Sequence, residues 1–197
     1  MRWIGVLGGI VLMLAALMWA IALATPSADV AVKPCSLRRL TGCDTVNPLS
    51  WRPDFQQALA QFLGRDGRKR ISLLYHNGRL IDQVKAVLGG PPDARRDLPD
   101  GSHLFTACRV HSCDEKGAIL LDPQGEIHAI AVISYHCGRG PKPCESLPQL
   151  DLFVRNRKAI DGAQRHLSQW AHAVVPKDLA AMPMTVHELP TRPGARL

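Results

Sequence analysis

The chain has 197 residues, 46% of them hydrophobic, with six cysteines. This length suits one domain and excludes a fold that depends on disulfides alone for its stability. The formal net charge is +7 at pH 7. The cations are spread along the chain without the interleaved aromatic residues that stack on bases, so we interpret them as a solvated surface and expect no nucleic-acid partner.

An uncharged apolar run lies near the N-terminus. It extends from Trp3 to Ala24, and Arg2 is the only cation before it. Small residues at its end match the pattern of signal-peptidase cleavage, which predicts an exported protein. At about 20 residues the run is longer than an ordinary signal core and long enough to span a bilayer. Residues 1–24 are therefore either a cleaved signal peptide or a retained signal anchor that tethers the protein to the membrane.

The six cysteines fall in three close pairs. Export favours disulfides, because compartments outside the cytoplasm are oxidising, although six cysteines allow fifteen connectivities. Pairing between neighbours is expected, because each pair brackets a short, turn-rich stretch. The expected disulfides are Cys35–Cys43, Cys108–Cys113 and Cys137–Cys144. Such small rings contribute on the order of 2 kcal/mol each in the entropic model, so their main effect is to set the shape of loops.

Two amphipathic helices are expected in the first half of the domain. Residues 25–50 show little periodicity and predict a linker followed by a disulfide-closed loop. A helix is expected to begin near Pro53 and to stop at Gly64, with apolar residues at helical spacing between them. A second apolar stripe over residues 80–88 is closed by two glycines and two prolines, which cannot continue a helix. The other segments of this half are expected to be a loop at 65–70, a short buried extended segment at 71–75 and a polar loop at 93–101.

The pattern then changes to that of strands. Strands are expected at residues 103–108 and 117–122, followed at 122–125 by the proline and glycine placement of a type I turn. A third strand is expected at residues 126–135, where both alternating sets of side chains are apolar, which indicates burial on both faces. A further strand is expected at residues 150–154.

A last helix and a tail complete the chain. Apolar residues recur at helical spacing over residues 158–174, and Trp170 on that stripe is expected in the core. Residues 179–197 are rich in proline and arginine and are expected to be poorly ordered. The folded domain is therefore expected over residues 51–178. Strands flanked by helices predict an α+β domain with a largely antiparallel sheet.

Six residues between the first two of these strands form a candidate binding loop. They are Cys108, Arg109, Val110, His111, Ser112 and Cys113. If the two cysteines are joined, four residues must bulge from a closed ring, and Arg109 and His111 then point into solvent or a partner. A guanidinium donates several hydrogen bonds and an imidazole can donate or accept. A rigid loop that carries both suits a concave site lined by carboxylates, with a reduced ordering cost on binding. Without a partner, His111 is an ordinary exposed loop histidine.

Other kinds of site have weaker signals. The sequence contains no Gly-rich phosphate loop, no H-E-x-x-H or G-x-S-x-G motif and no convincing pair of carboxylates, so we expect no enzymatic activity and no cofactor. A zinc site built from His111, Cys113, His136 and Cys137 matches no standard spacing, and export favours disulfides, so no metal is expected. A metal-binding domain remains the weakest of the alternatives.

The stretch from Phe105 to Cys113, with the aliphatic strand after it, resembles the Ivy family, the periplasmic inhibitors of vertebrate (C-type) lysozyme. Members of that family carry an alanine followed by a Cys-Lys-Pro-His-Asp-Cys loop, closed by a disulfide, whose histidine enters the active-site cleft of lysozyme. The resemblance covers about residues 100–162, with weaker matches at 149–154 and 159–162. It implies the family's fold, a central antiparallel sheet with helices packed on one face, and often a dimer.

The resemblance also implies roles for individual residues. His111 corresponds to the inserted imidazole and Arg109 to the family's lysine, whereas Val110 and Ser112 stand where the family has proline and aspartate. It implies a location in the periplasm of a Gram-negative bacterium and, as partner, a lysozyme or a related glycan-cleaving enzyme of peptidoglycan. The alternative is an envelope-anchored interaction module of the same fold that does not inhibit lysozyme.

Overall fold

A computed structural model describes residues 34–139, 144–155, 157–175 and 182–190, the side chains of 157–160 excepted. The expected signal peptide or anchor at residues 1–24 lies outside these residues, as does part of the expected tail. No helix within the described ranges combines the length and the apolar character needed to cross a membrane.

Four α-helices and eight β-strands form the described part of the chain. The helices are α1 (Asn47–Ser50), α2 (Pro53–Leu63), α3 (Leu80–Leu88) and α4 (Arg157–Val174). The first four strands are β1 (Arg70–Ile71), β2 (Gly78–Arg79), β3 (Arg96–Asp97) and β4 (His103–Arg109). The last four are β5 (Ser112–Leu121), β6 (Ile127–Ser134), β7 (Gln149–Val154) and β8 (Met184–Glu188). Short 3-10 turns lie at Leu40–Gly42 and Asp66–Arg68.

The strands build one large sheet and one small one. β3 to β8 lie side by side in chain order in a six-stranded sheet, and β1 pairs with β2 in an antiparallel ribbon. Neighbours from β3 to β7 are antiparallel, whereas β8 is parallel to β7. Parallel neighbours need a crossover, which α4 supplies between β7 and β8. The α+β fold class predicted from the sequence is confirmed, with a mixed sheet.

The two amphipathic helices α2 and α3 have the bounds that their sequences predict. Pro53 occupies the first turn of α2 and Gly64 follows its last residue with φ 55°, a conformation that favours glycine. The apolar stripes of α2 and α3 are buried against the sheet. The buried side chain of Gln83 in α3 holds the preceding segment, because its amide bonds the backbone of residues 71, 73, 74 and 78. The N–H groups of residues 73 and 74 are thus satisfied although they lie outside any strand.

The sheet is covered on both faces, which corrects the expectation of helices on one face. Alternate residues of a strand point to opposite faces. Ile119 and Leu121 pack with α2 and α3, whereas Ala118 and Leu120 pack in a second cluster with α4. Trp170 of α4 is buried in that second cluster, as its helical spacing predicts. Strands with two apolar faces need cover on each, and α4 provides the second.

The folded domain extends beyond the expected boundaries of 51–178. Residues 34–50 are not a linker: four of their side chains lie in the core with α2 and α3, namely Leu40, Cys43, Val46 and Leu49. At the other end, β8 and the buried Leu189 fall within the tail that was expected to be poorly ordered. Both segments are short and lack a clear period, so only their contacts with the rest of the domain show that they belong to it.

Candidate functional site at the Cys108–Cys113 hairpin

The candidate loop is the tip of the β4–β5 hairpin. Arg109 pairs with Ser112 across the hairpin, so only Val110 and His111 form the turn. His111 has φ 64°, a left-handed conformation that a two-residue hairpin turn commonly requires. The expectation of four bulging residues is therefore wrong: the protruding tip consists of two.

The disulfide expected at this loop is present. Cys108 and Cys113 are bonded with their Cα atoms 4.8 Å apart, and the pairs Cys35–Cys43 and Cys137–Cys144 are bonded as well. All three neighbour pairings predicted from the sequence are confirmed. Cys108 is buried and Cys113 is exposed, so the bond joins the sheet to the outer side of the tip.

The two turn residues are presented to solvent. Val110 is 49% exposed and His111 is also exposed, whereas Ser112 is half-buried. An apolar β-branched side chain and an imidazole thus stand side by side at the end of two long strands. This arrangement can offer one apolar contact and one hydrogen-bonding ring to a partner.

Arg109 does not point freely outward as predicted. Its Nη1 donates to Glu115 Oε2 at 2.7 Å, and the Glu115 side chain is only 6% exposed against 34% for Arg109. A buried carboxylate is costly unless it is paired, which explains why the guanidinium turns back to the base of the loop. Arg109 therefore acts on the shape of the hairpin more than on what the tip presents.

A second stretch of chain supports the loop from behind. A Cβ atom on Gly90 would lie 2.2 Å from Cys108 O and 2.7 Å from Val110 N, so only glycine allows this approach. The next residue, Pro91, accepts a hydrogen bond of 3.0 Å from the Cys108 N–H. The hairpin therefore rests on the residues that follow α3, and its base is held on that side as well as by the disulfide.

The other flank of the loop is acidic. Burial raises the pKa of the Tyr135 hydroxyl, and the nearby carboxylates of Asp114 and Glu115 raise it further. Sequence reasoning passed over all three residues. The opposite charges of Arg109 and Glu115 on either side of a two-residue turn are the signal that could have indicated their pairing.

The alternative zinc site does not assemble. The sulfurs of Cys113 and Cys137 are in disulfides, and His136 Nε2 lies 2.6 Å from Asp151 Oδ2. Within the described ranges no group of three or more histidine, cysteine or acidic side chains is arranged to hold a metal ion.

A cluster that the sequence did not predict lies on the α2 and α3 face of the sheet. The Asp151 carboxylate is 1% exposed and bonds His136 Nε2 at 2.6 Å and His187 Nε2 at 2.7 Å. The His187 ring also stacks on Phe153 with centroids 4.6 Å apart. These contacts join the end of β6, β7 and β8, so their role is to fasten the edge strand to the sheet.

Comparison of the chain with protein-family models, with curated proteins and with solved structures finds no match. The resemblance to the Ivy family therefore gains no support from these comparisons. The resemblance stays a prediction, and a function has to be inferred from the geometry of the hairpin.

Proposed function

We propose that the protein is a periplasmic inhibitor that binds the active-site cleft of a C-type lysozyme, or of a related peptidoglycan hydrolase, with the tip of its β4–β5 hairpin. One observation carries the proposal: a disulfide-closed tip of two residues, Val110 and His111, is presented to solvent at the end of the β4–β5 hairpin. Three disulfides support folding in an oxidising compartment.

The chemistry of the tip matches such a cleft. Most glycoside hydrolases act with a pair of carboxyl groups on either side of the bond that they cleave. The His111 imidazole can donate a hydrogen bond to a carboxylate or accept one from a carboxylic acid. A tip bound in this way occludes the glycan. In this scheme Arg109 is a positioning residue, because its guanidinium is bonded to Glu115.

The rigidity of the base favours tight binding. The disulfide, the contact with Gly90 and the Arg109–Glu115 pair restrain the backbone on both sides of the tip before any partner arrives. A partner then pays little of the ordering cost that a flexible loop imposes.

The test is inhibition of glycan lysis by the purified protein against C-type, goose-type and invertebrate-type lysozymes. We expect wild type to inhibit at least one, and His111→Ala to weaken that inhibition by about tenfold or more. His128→Ala is the matched control, since His128 is exposed at the start of β6, at the opposite end of the sheet. Unchanged inhibition by both His111→Ala and the Cys108→Ser/Cys113→Ser pair would remove the loop from the mechanism. Failure of wild type to inhibit any lysozyme would remove the function.

The second candidate is the envelope-anchored interaction module without lysozyme inhibition. The observation that favours it is the length of the uncharged run from Trp3 to Ala24, which exceeds an ordinary signal core. N-terminal sequencing of the protein from cell envelopes separates the two cases. An intact Met1 in the membrane fraction favours the anchored module, and a start near Thr25 favours a released inhibitor.

A further inference from the structure

An apolar groove of about 200 Å³ lies between the α1–α2 region and the end of α3. Its lining residues are Ser50, Trp51, Phe55, Gln56, Leu59, Lys85, Leu88 and Gly89. Trp51 is 84% exposed, more than any other large hydrophobic side chain in the described part of the chain. A large aromatic side chain left in water beside an apolar groove is typical of a surface that binds another molecule.

The groove favours a protein side chain over a sugar. Its floor is made of Phe55, Leu59 and Leu88, which offer no hydrogen bonds. The side-chain nitrogen of Gln56, the one side-chain amide in the lining, already donates to Ser50 O. The hydroxyls of a sugar that face this floor would therefore lack partners there, at a cost in binding free energy that an apolar side chain does not incur.

A positive charge at the rim of the groove indicates that the bound molecule carries a negative charge. Lys85 is exposed and forms no ion pair with any residue that the structure describes, and the lining contains no acidic side chain. A carboxylate of a partner next to its apolar side chain would compensate this cation.

One end of the groove adjoins the residues that support the loop. Gly89 lines the groove, and its neighbour Gly90 contacts the backbone of Cys108 and Val110. Consecutive Cα atoms are about 3.8 Å apart, so the rim of the groove and the support of the hairpin are neighbouring residues, and one partner surface can cover both. A stable complex usually buries about 800 Å² on each partner, which a tip of two residues cannot supply alone.

We propose that the Trp51 groove is the second contact of the same protein partner, and that it receives an apolar side chain flanked by a carboxylate from the rim of the partner's cleft. The inference rests on the proposed function and deepens it: the hairpin tip occludes the glycan, and the groove adds affinity and selects the partner.

The test measures Kd for the lysozyme that wild type inhibits best, by titration calorimetry. Trp51→Ala is expected to weaken binding by about tenfold or more, and Trp51→Phe to retain most of it. Lys85→Glu is expected to weaken binding severalfold. Arg38→Glu is the matched control for Lys85→Glu, because it makes the same charge change at an exposed position. Arg38 lies far from the groove: its neighbour Leu37 contacts Gly125 in the β5–β6 turn, at the opposite end of the sheet. Arg38→Glu is expected to change Kd less than about twofold.

Three outcomes would overturn the inference, and they can be told apart. If His111→Ala weakens binding while Trp51→Ala and Lys85→Glu do not, the groove has no role and the inhibitor function stands. If wild type binds no lysozyme, the proposed function falls and this inference falls with it. If chitotetraose alone quenches tryptophan emission in wild type but not in Trp51→Phe, the groove is a glycan site and not a protein contact.

Discussion

Glu115 sits beneath the hairpin tip and determines the direction of Arg109. Removal of one partner of a buried ion pair leaves the other charge without compensation, which costs more than the pair itself contributes. The pair is therefore a structural feature of the loop, and it can be separated from target binding by measurements on the free protein.

We expect Arg109→Ala to lower the free energy of unfolding by about 1.5–3 kcal/mol, because the Glu115 carboxylate is then buried without a partner. The double variant Arg109→Ala/Glu115→Ala should lose less than the sum of the two single variants, as expected for a coupled pair. Urea unfolding followed by circular dichroism measures all four proteins. Additive losses would show that the two side chains do not interact in solution.

A second residue-scale prediction concerns Asp97 in β3. The His103 side chain, 2.6 Å away, and then Arg95 hydrogen-bond this carboxylate and hold its pKa below the ordinary value of 3.8. Folding thus favours the ionised form. The stabilisation is fully present above the ordinary value and is lost as the pH falls through the lower folded pKa.

We expect Asp97→Asn to destabilise the protein by less than about 1 kcal/mol at neutral pH, since the side chain is 59% exposed and the pair is screened by solvent. The difference from wild type should shrink as the pH is lowered from about 5 to about 2. The measurement is the free energy of unfolding of wild type and of Asp97→Asn at several pH values across this range. A difference that stays constant down to pH 2 would mean that the Asp97 carboxylate is not what stabilises β3.

At the scale of elements, β8 is the longest of the strands that the sequence missed. It is parallel to β7 and is fastened from one side by the contacts of His187 with Asp151 and Phe153. Leu189, just beyond the strand, is buried in the core with α2 and α3, and its N–H donates to Val154 O at 2.7 Å. The strand is thus anchored by side chains as well as by its ladder.

We expect Leu189→Ala to cost about 2–4 kcal/mol, because it leaves a cavity in a packed core. Met184→Ala is the control within the same segment: the Met184 side chain is 38% exposed, so its removal should cost less than about 1 kcal/mol. Thermal unfolding compares the two. Equal and small losses would indicate that β8 is not docked on the sheet in solution.

At the scale of the whole molecule, one sheet is shared by two cores. Residues of β4 to β7 alternate between the cluster with α2 and α3 and the cluster with α4. Neither cluster can open without exposing one face of the same strands. The domain should therefore unfold in a single cooperative transition.

We expect Leu59→Ala on one face and Leu167→Ala on the other to cost about 2–5 kcal/mol each, because both side chains are fully buried. Each substitution should lower the midpoint of a single unfolding transition. Circular dichroism and hydrogen exchange of the β6 amides should report the same loss of stability. A separate early transition in the Leu167→Ala variant would show that α4 unfolds independently of the sheet.

The sequence predicted most of the elements, and it did so where the pattern is local. The apolar stripes of α2, α3 and α4 and the alternating residues of β4 to β7 repeat within a single element, so they can be found without knowledge of the rest of the chain. The three disulfides were predicted for a similar reason, because each pair brackets a short stretch. The six-residue loop that contains the tip was found through those cysteines, although the sequence singled out Arg109 and His111 where the turn consists of Val110 and His111.

What the sequence could not decide are contacts between distant residues. Which surfaces meet after folding decides four features: the face of the sheet that α4 covers, the inclusion of residues 34–50 in the core, the docking of β8, and the contacts of Asp151 with His136 and His187. The same holds for Gly90 beneath the hairpin. Its lack of a side chain matters only because the backbone of Cys108 and Val110 approaches it closely. By itself the sequence determined the local conformations, since these follow from backbone and neighbouring side-chain preferences. Only the tertiary structure decided which of them pack together, because burial and pairing of charge are properties of the assembled chain.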